Sequence, residues 1–513
     1  AVDSTSTGTI NIGGAVGNPL RAAGTLDAAT VEFRNGAATL NFNHSGAATF
    51  AAALATTGAG THALNHYAGD TTLTGDSTTF TGTTTVSGGS LTVANALGGA
   101  AFVTGGSLAV DGAFGGSVEA RTGGAVSGMG TIAGNADLTG GGVPAGTSGQ
   151  TLRIGGAVAM HGTSGVHVAL GGPAAAALLG GRGNLTLDGT LKVADAGGFG
   201  SGVYRIFDYG GALTDNGMAI GSTPAGVGAS DLLVQTAVAN QINLISTAGA
   251  ELGFWDGGNA ALHDNGAVDG GAGVWRTDGR NWTQADGMLN GRFKPMPTFA
   301  VFQTTGGVVR VDGAAGAIGV TGMQFAADGY RIEGDAIALQ GAGGESIVRV
   351  GDGTPAGAGM TATIASALTG NSTLVKSDHG TLVLSGVNSF DGGVRLNAGT
   401  LSVATDANLG AASGGLTFNG GALATTASFG SSRGITLGAA GRLDVATGTT
   451  LGLSGAISGA GDLVKQGNGT LVLTGANTYG DTGVEAGTLV GNAASISGNV
   501  ANAATVVFDQ GTN

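Results

Sequence analysis

Apolar residues alternate with small or polar residues in short segments along most of the chain, and a glycine precedes many of these segments. The form Gly-x-Leu-x-Val occurs at residues 89–93, 106–110, 189–193, 399–403 and 441–445. Leucine and valine two positions apart point to the same face of a β-strand. Glycine adopts tight-turn conformations that other residues reach only at a cost. The pattern therefore predicts many short strands, each entered through a turn.

The spacing of these segments predicts how the strands are arranged. Between residues 399 and 461 the segment recurs about every 20–22 residues. A fixed period of this size is typical of stacked-coil proteins, in which each strand pairs with its equivalent in the next coil. We therefore expect Leu401 to lie beside Leu423 and Leu443 inside the coil. The predicted fold is all-β, a right-handed parallel β-helix of roughly 20–24 coils with some loop excursions.

Composition narrows the possible classes of protein. Glycine contributes 106 of 513 residues without a three-residue period, which excludes collagen, and the 42% hydrophobic fraction argues against disorder. The net charge of −14 argues against partners such as nucleic acid or an anionic membrane surface. The chain has no cysteine, which suits export through a narrow pore. No apolar run approaches the roughly 20 residues of a membrane span, so we expect no membrane insertion by this segment.

Three regions of the chain differ in the regularity of their strand pattern and in their residue content. Residues 1–250 carry the least regular pattern, and the alanine-rich stretch 51–66 predicts a short helix or a loop. Residues 251–305 contain all three tryptophans and form a predicted insert or loop-rich coil pair. Residues 306–513 carry the most regular strands, with internal repeats at about 370–403 and 459–491.

The internal repeat is specific. Residues 374–390 match residues 463–479 at a constant offset of 89, including the lysines Lys376 and Lys465. After a one-residue gap, residues 398–401 match residues 486–489, and a degenerate third copy covers residues 73–93. The repeated unit Lys-x-Gly-x-Gly-Thr-Leu-Val-Leu-Thr-Gly-Ala-Asn-Thr-Tyr, closed by Ala-Gly-Thr-Leu, resembles the passenger-associated transport repeat of bacterial autotransporters.

This resemblance implies a fold and a location. It implies a β-helical passenger that is secreted by the type V route through the periplasm and outer membrane, folds outside the cell, and is displayed on the surface or released. Passengers of this kind are followed by a capping region and a translocator barrel. Neither is recognisable before Asn513, so we expect a passenger truncated ahead of both.

Several short motifs contain residue types that occur in catalytic or metal sites. Gly75-Asp76-Ser77 resembles part of a serine-protease motif but lacks the following glycine, and it favours a turn within a repeat copy. His62 and His66 lie four apart, as zinc ligands do on a helix, but no third ligand is evident. For both motifs a structural role is the favoured interpretation.

Three further pairs also favour a structural role. The adjacent residues His263 and Asp264, and likewise Asp378 and His379, point to opposite faces of a strand. Glu333 and Asp335 lie two apart on one strand face, and carboxylate pairs carry out glycosidase chemistry, but an exposed polar face is the simpler interpretation. We predict no catalytic residue, no metal site and no cofactor.

The segment rich in tryptophan and arginine is the candidate binding region. Tryptophan and arginine are enriched at binding hot spots, and aromatic residues make up only 5% of this chain. Two interpretations remain: structural packing of a wider coil, which is favoured, and contact with a partner. The candidate partner-binding residues are Trp255, Trp275, Arg276, Arg280, Trp282, Arg292 and Lys294.

These observations lead to one predicted function and two alternatives. The prediction is a non-enzymatic virulence or adhesion factor that binds host surfaces, host matrix or other bacteria, with self-association as a further possibility. The first alternative is immune evasion by capture of a complement regulator or a serpin. The second is a β-helical enzyme acting on polysaccharide.

Overall fold

The computed structural model of the chain describes residues 7–144, 151–171 and 179–510. The chain divides into two compact units. Unit 1 comprises Ala1–Phe199, Arg205–Thr236 and Asn240–Leu244, and unit 2 comprises Gly200–Tyr204, Ala237–Ala239 and Ile245–Asn513. The three-region scheme of the sequence (1–250, 251–305 and 306–513) stays a prediction.

Short strands form almost all of the regular structure in both units. Strands β1–β29 are, in chain order, Thr7–Gly13, Arg21–Ala22, Thr30–Phe33, Gly36–Phe50, Ala53–Thr56, Gly60–Leu73, Asp76–Ser77, Thr83–Val86, Ser90–Val93, Ala96–Leu97, Ala100–Val103, Gly106–Val110, Ala113–Phe114, Val118–Ala120, Gly124–Ser127, Thr131–Ile132, Ala136–Leu138, Gly142–Val143, Leu152–Ile154, Val158–Met160, Gly165–Leu170, Leu179–Gly181, Leu185–Leu187, Thr190–Asp195, Gly202–Asp208, Leu213–Asp215, Ala219–Ser222, Leu232–Gln235 and Gln241–Ser246.

Strands β30–β57 continue the series through unit 2. They are Leu252–Trp255, Gly273–Trp275, Trp282–Thr283, Thr298–Phe302, Val308–Val311, Ile318–Phe325, Tyr330–Gly334, Ile337–Leu339, Glu345–Val350, Thr361–Ile364, Leu368–Gly370, Thr373–Ser377, Thr381–Leu384, Val394–Leu396, Thr400–Val403, Leu416–Phe418, Ala422–Thr425, Phe429–Ser431, Ile435–Leu437, Gly441–Val445, Thr450–Leu453, Ile457–Ser458, Leu463–Gln466, Thr470–Leu473, Thr482–Val484, Thr488–Gly491, Val500–Asn502 and Thr505–Phe508.

In unit 1 the strands stack in parallel, one coil on the next. One stack runs β1–β4–β6–β8–β11–β14–β17–β20–β23–β26. A second runs β6–β9–β12–β15–β18–β21–β24–β27, and a third contains β7, β10, β13, β16, β19 and β22. Three parallel stacks wound by one chain form a β-solenoid, as predicted.

Unit 2 repeats this architecture. Its longest stack holds eleven strands, in the order β31–β34–β36–β39–β42–β44–β46–β49–β52–β54–β56. Two others run β30–β33–β35–β38–β41–β43–β45–β48–β51 and β47–β50–β53–β55–β57. Strand β32 pairs with β30 in the antiparallel direction, in contrast to the parallel pairs of these stacks. The handedness of the winding stays a prediction.

The leucine column expected from the period is present. Leu401 lies in register with Leu382 on one side and Leu423 on the other, and Leu423 with Leu443. All four side chains are buried. Because each coil buries its apolar face only against its neighbours, this column is what holds successive coils together.

One local prediction was wrong. Residues 51–66 form no helix: Ala53–Thr56 is strand β5, and the stretch continues into β6. Pairing with β3 and β4 of the preceding coil overrides the helical preference of alanine. The helices in the described residues are short 3₁₀ turns, namely Ala229–Asp231, Ala260–Leu262, Gly313–Ala315, Ala342–Gly344, Pro355–Gly359 and Asp406–Leu409. None of them has the length and apolarity needed to cross a bilayer.

Candidate partner-binding site

The three tryptophans form one buried aromatic cluster in unit 2. The ring of Trp282 lies 5.2 Å from that of Trp255 and 4.9 Å from that of Trp275, measured between centroids. Phe293 packs on Trp282 at 4.3 Å, and Phe302 joins the cluster to the core. All three indoles are buried, so the tryptophans themselves lie in the core rather than on a surface.

Strand pairing puts these rings together. Strand β32 folds back on β30 and sets Trp282 opposite Trp255. Strand β31 pairs with β34 and sets Trp275 beside Val311. The returning strand β32 covers the free edge of β30, and a covered edge cannot pair with another chain. All three tryptophans therefore pack inside the coil, as the interpretation of this segment as a wider, packed coil expects.

A polar frame fixes the loops around the cluster. The buried carboxylate of Asp256 accepts hydrogen bonds from the backbone N–H of Asp269 (2.7 Å) and the side-chain amide of Asn290 (2.8 Å). Burial raises the pKa of Asp256, and the two hydrogen bonds partly oppose that shift. Asp264 and Asn290 exchange side-chain-to-backbone bonds in both directions. Residues 264 and 290 are thereby held side by side.

The four cations of the segment lie at the surface, in two different settings. Arg276 is paired with Asp278 (2.9 Å) and Asp312 (3.1 Å), and the hydrogen bond that it donates to Asp278 raises the pKa of Arg276. Arg280 reaches Asp264 at 3.5 Å and donates to the backbone oxygen of Asn290, while 64% of its side chain stays exposed. Arg292 and Lys294 are exposed.

Two exposed apolar residues sit among these cations. Met288 is 63% exposed and Leu289 is 67% exposed, and the bridge between Trp282 and Gly291 holds this turn against β32. We call Arg280, Met288, Leu289, Arg292 and Lys294 the insert surface. The sequence analysis missed the two apolar members, although apolar residues inside the turn Asp-Gly-Met-Leu-Asn-Gly are a detectable signal.

The residues of the candidate catalytic motifs make contacts that stabilise the fold. The hydroxyl of Ser77 is buried and accepts from the backbone of Leu54. Glu333 is engaged by Arg331 at 2.8 Å, and Asp335 accepts from the backbone of Gly313. Within the described ranges, no three His, Cys, Asp or Glu side chains group in a way that holds a metal ion.

Members of the two histidine–aspartate pairs also make structural contacts. His263 bonds to the carbonyl oxygen of Gly257 at 3.1 Å, and the carboxylate of Asp264 accepts from the backbone N–H of Asn290. Asp378 is buried against Arg349 at 3.1 Å. Arg349 also donates to the backbone of Ser201 and Val203. This buried ion pair therefore anchors the segment 200–204 within unit 2.

The two regular repeats share a buried lysine. The side-chain nitrogen of Lys376 donates to the carbonyl oxygens of Ser377, Asp378 and Ala398, at 2.8, 2.9 and 3.2 Å. Burial lowers the pKa of Lys376 to about 7. Three carbonyl acceptors match the three N–H donors of an ammonium. We call this contact, from one coil to the turn of the next, the lysine clamp.

Lys465 repeats the clamp in the second copy. Its nitrogen donates to the carbonyls of Gln466 (2.8 Å), Gly467 (2.7 Å) and Ala486 (3.1 Å). Lys376 lies in β41 and Lys465 in β52, which belong to different stacks. The offset of 89 residues therefore does not equal a whole number of coils, yet the local contact is kept.

Comparisons with known proteins agree with the repeat analysis. Residues 67–93, 374–403 and 463–490 match the passenger-associated-transport-repeat family. The chain is 41% identical over 499 residues to a protein of Brucella suis biovar 1 (strain 1330) named Adhesin BmaC autotransporter, an alignment that covers 91% of this chain. The chain spans 14% of the length of that relative. No solved structure is a significant match. The resemblance to autotransporter passengers is thereby confirmed.

Proposed function

We infer that this chain, which belongs with the autotransporter passengers, acts outside the bacterial outer membrane as a non-enzymatic adhesive protein. The observation that carries this proposal is the 41% identity, over 91% of the chain, to an autotransporter named an adhesin. The parallel solenoid of each unit supports it, because a solenoid places long rows of side chains on outward faces that suit extended contacts. The ligand class is a host cell-surface or matrix component.

The insert surface is the proposed contact. It combines exposed apolar side chains, Met288 and Leu289, with cations, and arginine beside apolar area is typical of binding hot spots. Arg292 and Lys294 are exposed cations in a chain of net charge −14, so they favour a partner that offers anionic groups at this place. The buried tryptophans support the surface from beneath without contacting the partner.

The positions of the candidate catalytic side chains support the non-enzymatic part of the proposal. Ser77 is engaged by backbone, and Glu333 and Asp335 each have a structural partner. A nucleophile needs an adjacent base, and a carboxylate pair needs a common substrate site. The described residues around these groups supply turns and strand ends instead.

A paired charge-reversal experiment tests the proposal. The full 513-residue chain is coupled to beads, and bead attachment to cultured epithelial cells and to immobilised matrix proteins is counted. The variant R292E/K294E changes the insert surface. The control R310E/R442E changes two exposed arginines elsewhere on unit 2 by the same charge. We expect attachment to fall about tenfold or more for the first variant and to stay within twofold for the control.

The outcomes separate the alternatives. Equal attachment of both variants contradicts the insert surface as the contact but leaves adhesion standing. No attachment of the unaltered chain to cells or matrix, combined with capture of a complement regulator or serpin from serum, contradicts adhesion and favours immune evasion. Turnover of a polysaccharide by the chain contradicts the non-enzymatic assignment.

A further inference from the structure

His66 lies directly before the first transport-repeat match, residues 67–93, and makes a contact that Lys376 and Lys465 make in the other two. Its Nδ1 lies 2.8 Å from the carbonyl oxygen of Gly88. The next residue, Gly89, has φ of +68°, like the glycines that follow the clamped carbonyls of the lysine repeats. His66 also lies in register with the next coil at Val86, as Lys376 does at Leu396. An imidazole therefore replaces the lysine nitrogen at one equivalent contact.

Thr71 also differs from its counterparts in the two lysine-containing repeats. Thr71 lies in register with Leu91, and the corresponding inward positions of the other repeats are Leu382 and Leu471. A buried hydroxyl thus stands where the other copies place an apolar side chain. Its Oγ1 lies 3.0 Å from Nε2 of His66 and 2.8 Å from Nε2 of His44. We call His44, Thr71 and His66 the histidine relay.

The contacts fix where the hydrogens lie. The carbonyl of Gly88 can only accept, so Nδ1 of His66 carries its hydrogen and Nε2 accepts from the hydroxyl of Thr71. The hydroxyl has a single hydrogen, so Nε2 of His44 must donate to it. Nδ1 of His44 is then a bare acceptor, buried and without a hydrogen-bond partner in the described part of the chain. Both rings are neutral in this arrangement.

The carboxylate of Asp70 acts to raise the pKa of His66, but burial of the ring acts more strongly in the opposite direction. His62, on the same strand β6, is itself buried and bonds to the carbonyl of Arg34. Asp70 on β6 and Arg21 on β2 are exposed. Strands β8 and β9, which cover the relay, carry no ionisable side chain. Burial lowers the pKa of His66, and the carbonyl of Gly88 opposes this only in part.

We propose that the histidine relay is an acid-sensitive latch, whose protonation opens the coils of residues 36–93 while the lysine-clamped coils of unit 2 stay closed. A second proton on His66 must go to Nε2, which displaces the hydrogen bond that Thr71 donates there. A proton on His44 must go to Nδ1, where no acceptor is present. Each protonation leaves a buried donor unpaired, which destabilises the folded coil.

The direction of the pH dependence follows from these neutral rings. In the unfolded chain each histidine takes a proton near pH 6.5. The folded coil holds His66 below that value, so the unfolded state binds more protons in mild acid. The stabilising contribution of the relay is therefore complete above about pH 6.5 and is lost as the pH falls below it.

Hydrogen exchange of the full chain at pH 7.5 and 5.0 tests the latch. Protection factors remove the intrinsic pH dependence of exchange, and unit 2 serves as an internal reference. We expect protection within residues 36–93 to fall about 30-fold or more, and protection within residues 416–453 of unit 2, which contain no histidine or lysine, to change less than about threefold. An equal change in both regions overturns the proposal.

Matched variants separate the relay from general acid sensitivity. H66N keeps a donor near Nδ1 and H44Q keeps a donor near Nε2, and neither amide titrates. The double variant should lose the acid response, whereas H161Q, which alters a half-exposed histidine of unit 1, should keep it. If the double variant does not fold, NMR titration of the His66 ring in the unaltered chain decides: ordinary titration of His66 near pH 6.5 in closed coils overturns the proposal.

Discussion

The side-chain nitrogen of Lys376 lies 3.2 Å from the carbonyl oxygen of Ala398, a residue of the next coil. A lysine thereby occupies an inward position between Val348 and Leu396, where the neighbouring coils place apolar side chains. The position is tolerated because every N–H of the side chain finds a carbonyl. The clamp joins two successive coils through the glycine turn that the sequence repeat contains.

Replacing the clamp lysine should loosen one pair of coils. Lys376→Met keeps the length of the side chain but leaves three buried carbonyl oxygens without that donor. We expect a local loss of about 3 kcal/mol, measured by hydrogen exchange across residues 373–403. Lys192→Met, at an exposed position, is the control and should change stability by less than about 0.5 kcal/mol. Unchanged protection at residues 373–403 would show that other donors satisfy these carbonyls.

The leucine column predicts a second local defect. Leu401→Asp places a carboxylate between Leu382 and Leu423 with no partner, and we expect a cost of several kcal/mol, about 4. Limited proteolysis should first cut within residues 380–460, because each coil contacts only its neighbours. Thr436→Asp, which points outward from β48, is the matched control and should resist protease as the unaltered chain does.

Removing one charge of the buried ion pair between Arg349 and Asp378 should destabilise unit 2 more than removing both charges. Arg349→Leu leaves the carboxylate of Asp378 buried without its cation, at an expected cost of about 4 kcal/mol. Arg349→Leu combined with Asp378→Asn removes both charges and should recover part of that loss. Thermal unfolding followed by tryptophan fluorescence measures both variants, because all three indoles are buried in unit 2. Equal losses for the two variants would contradict direct coupling of the pair.

Trp282 should be the most sensitive residue of the insert. Its ring contacts Trp255, Trp275 and Phe293, so Trp282→Ala creates a large cavity and should cost about 4 kcal/mol. Met288→Ala, at an exposed position in the next turn, should cost less than about 0.5 kcal/mol. Chemical denaturation of unit 2 provides the measurement. A small effect at Trp282 would mean that the cluster does not hold the insert in place.

The sequence alone determined the parallel coils, the inward face of the strands and the repeats. Periodicity is sufficient for this because a strand shows its buried face through alternation, and a coil shows its length through the recurrence of that alternation. Leu401, Leu423 and Leu443 stack as the spacing predicted. Pattern was insufficient at residues 51–66, where the neighbouring coil decided between helix and strand.

Tertiary structure decided the side-chain assignments. Tryptophan is enriched both in cores and at interfaces, so only the fold-back of β32 onto β30 showed that Trp255 and Trp282 face inward and that the cations remain outside. The sequence also did not show the contacts of Lys376 and His66 with the next coil. A hydrogen bond to a carbonyl one coil away depends on how the coils stack in register rather than on the neighbouring residues in the sequence. Local pattern fixes which face a residue prefers, whereas only the packing of coil on coil fixes what that residue meets there.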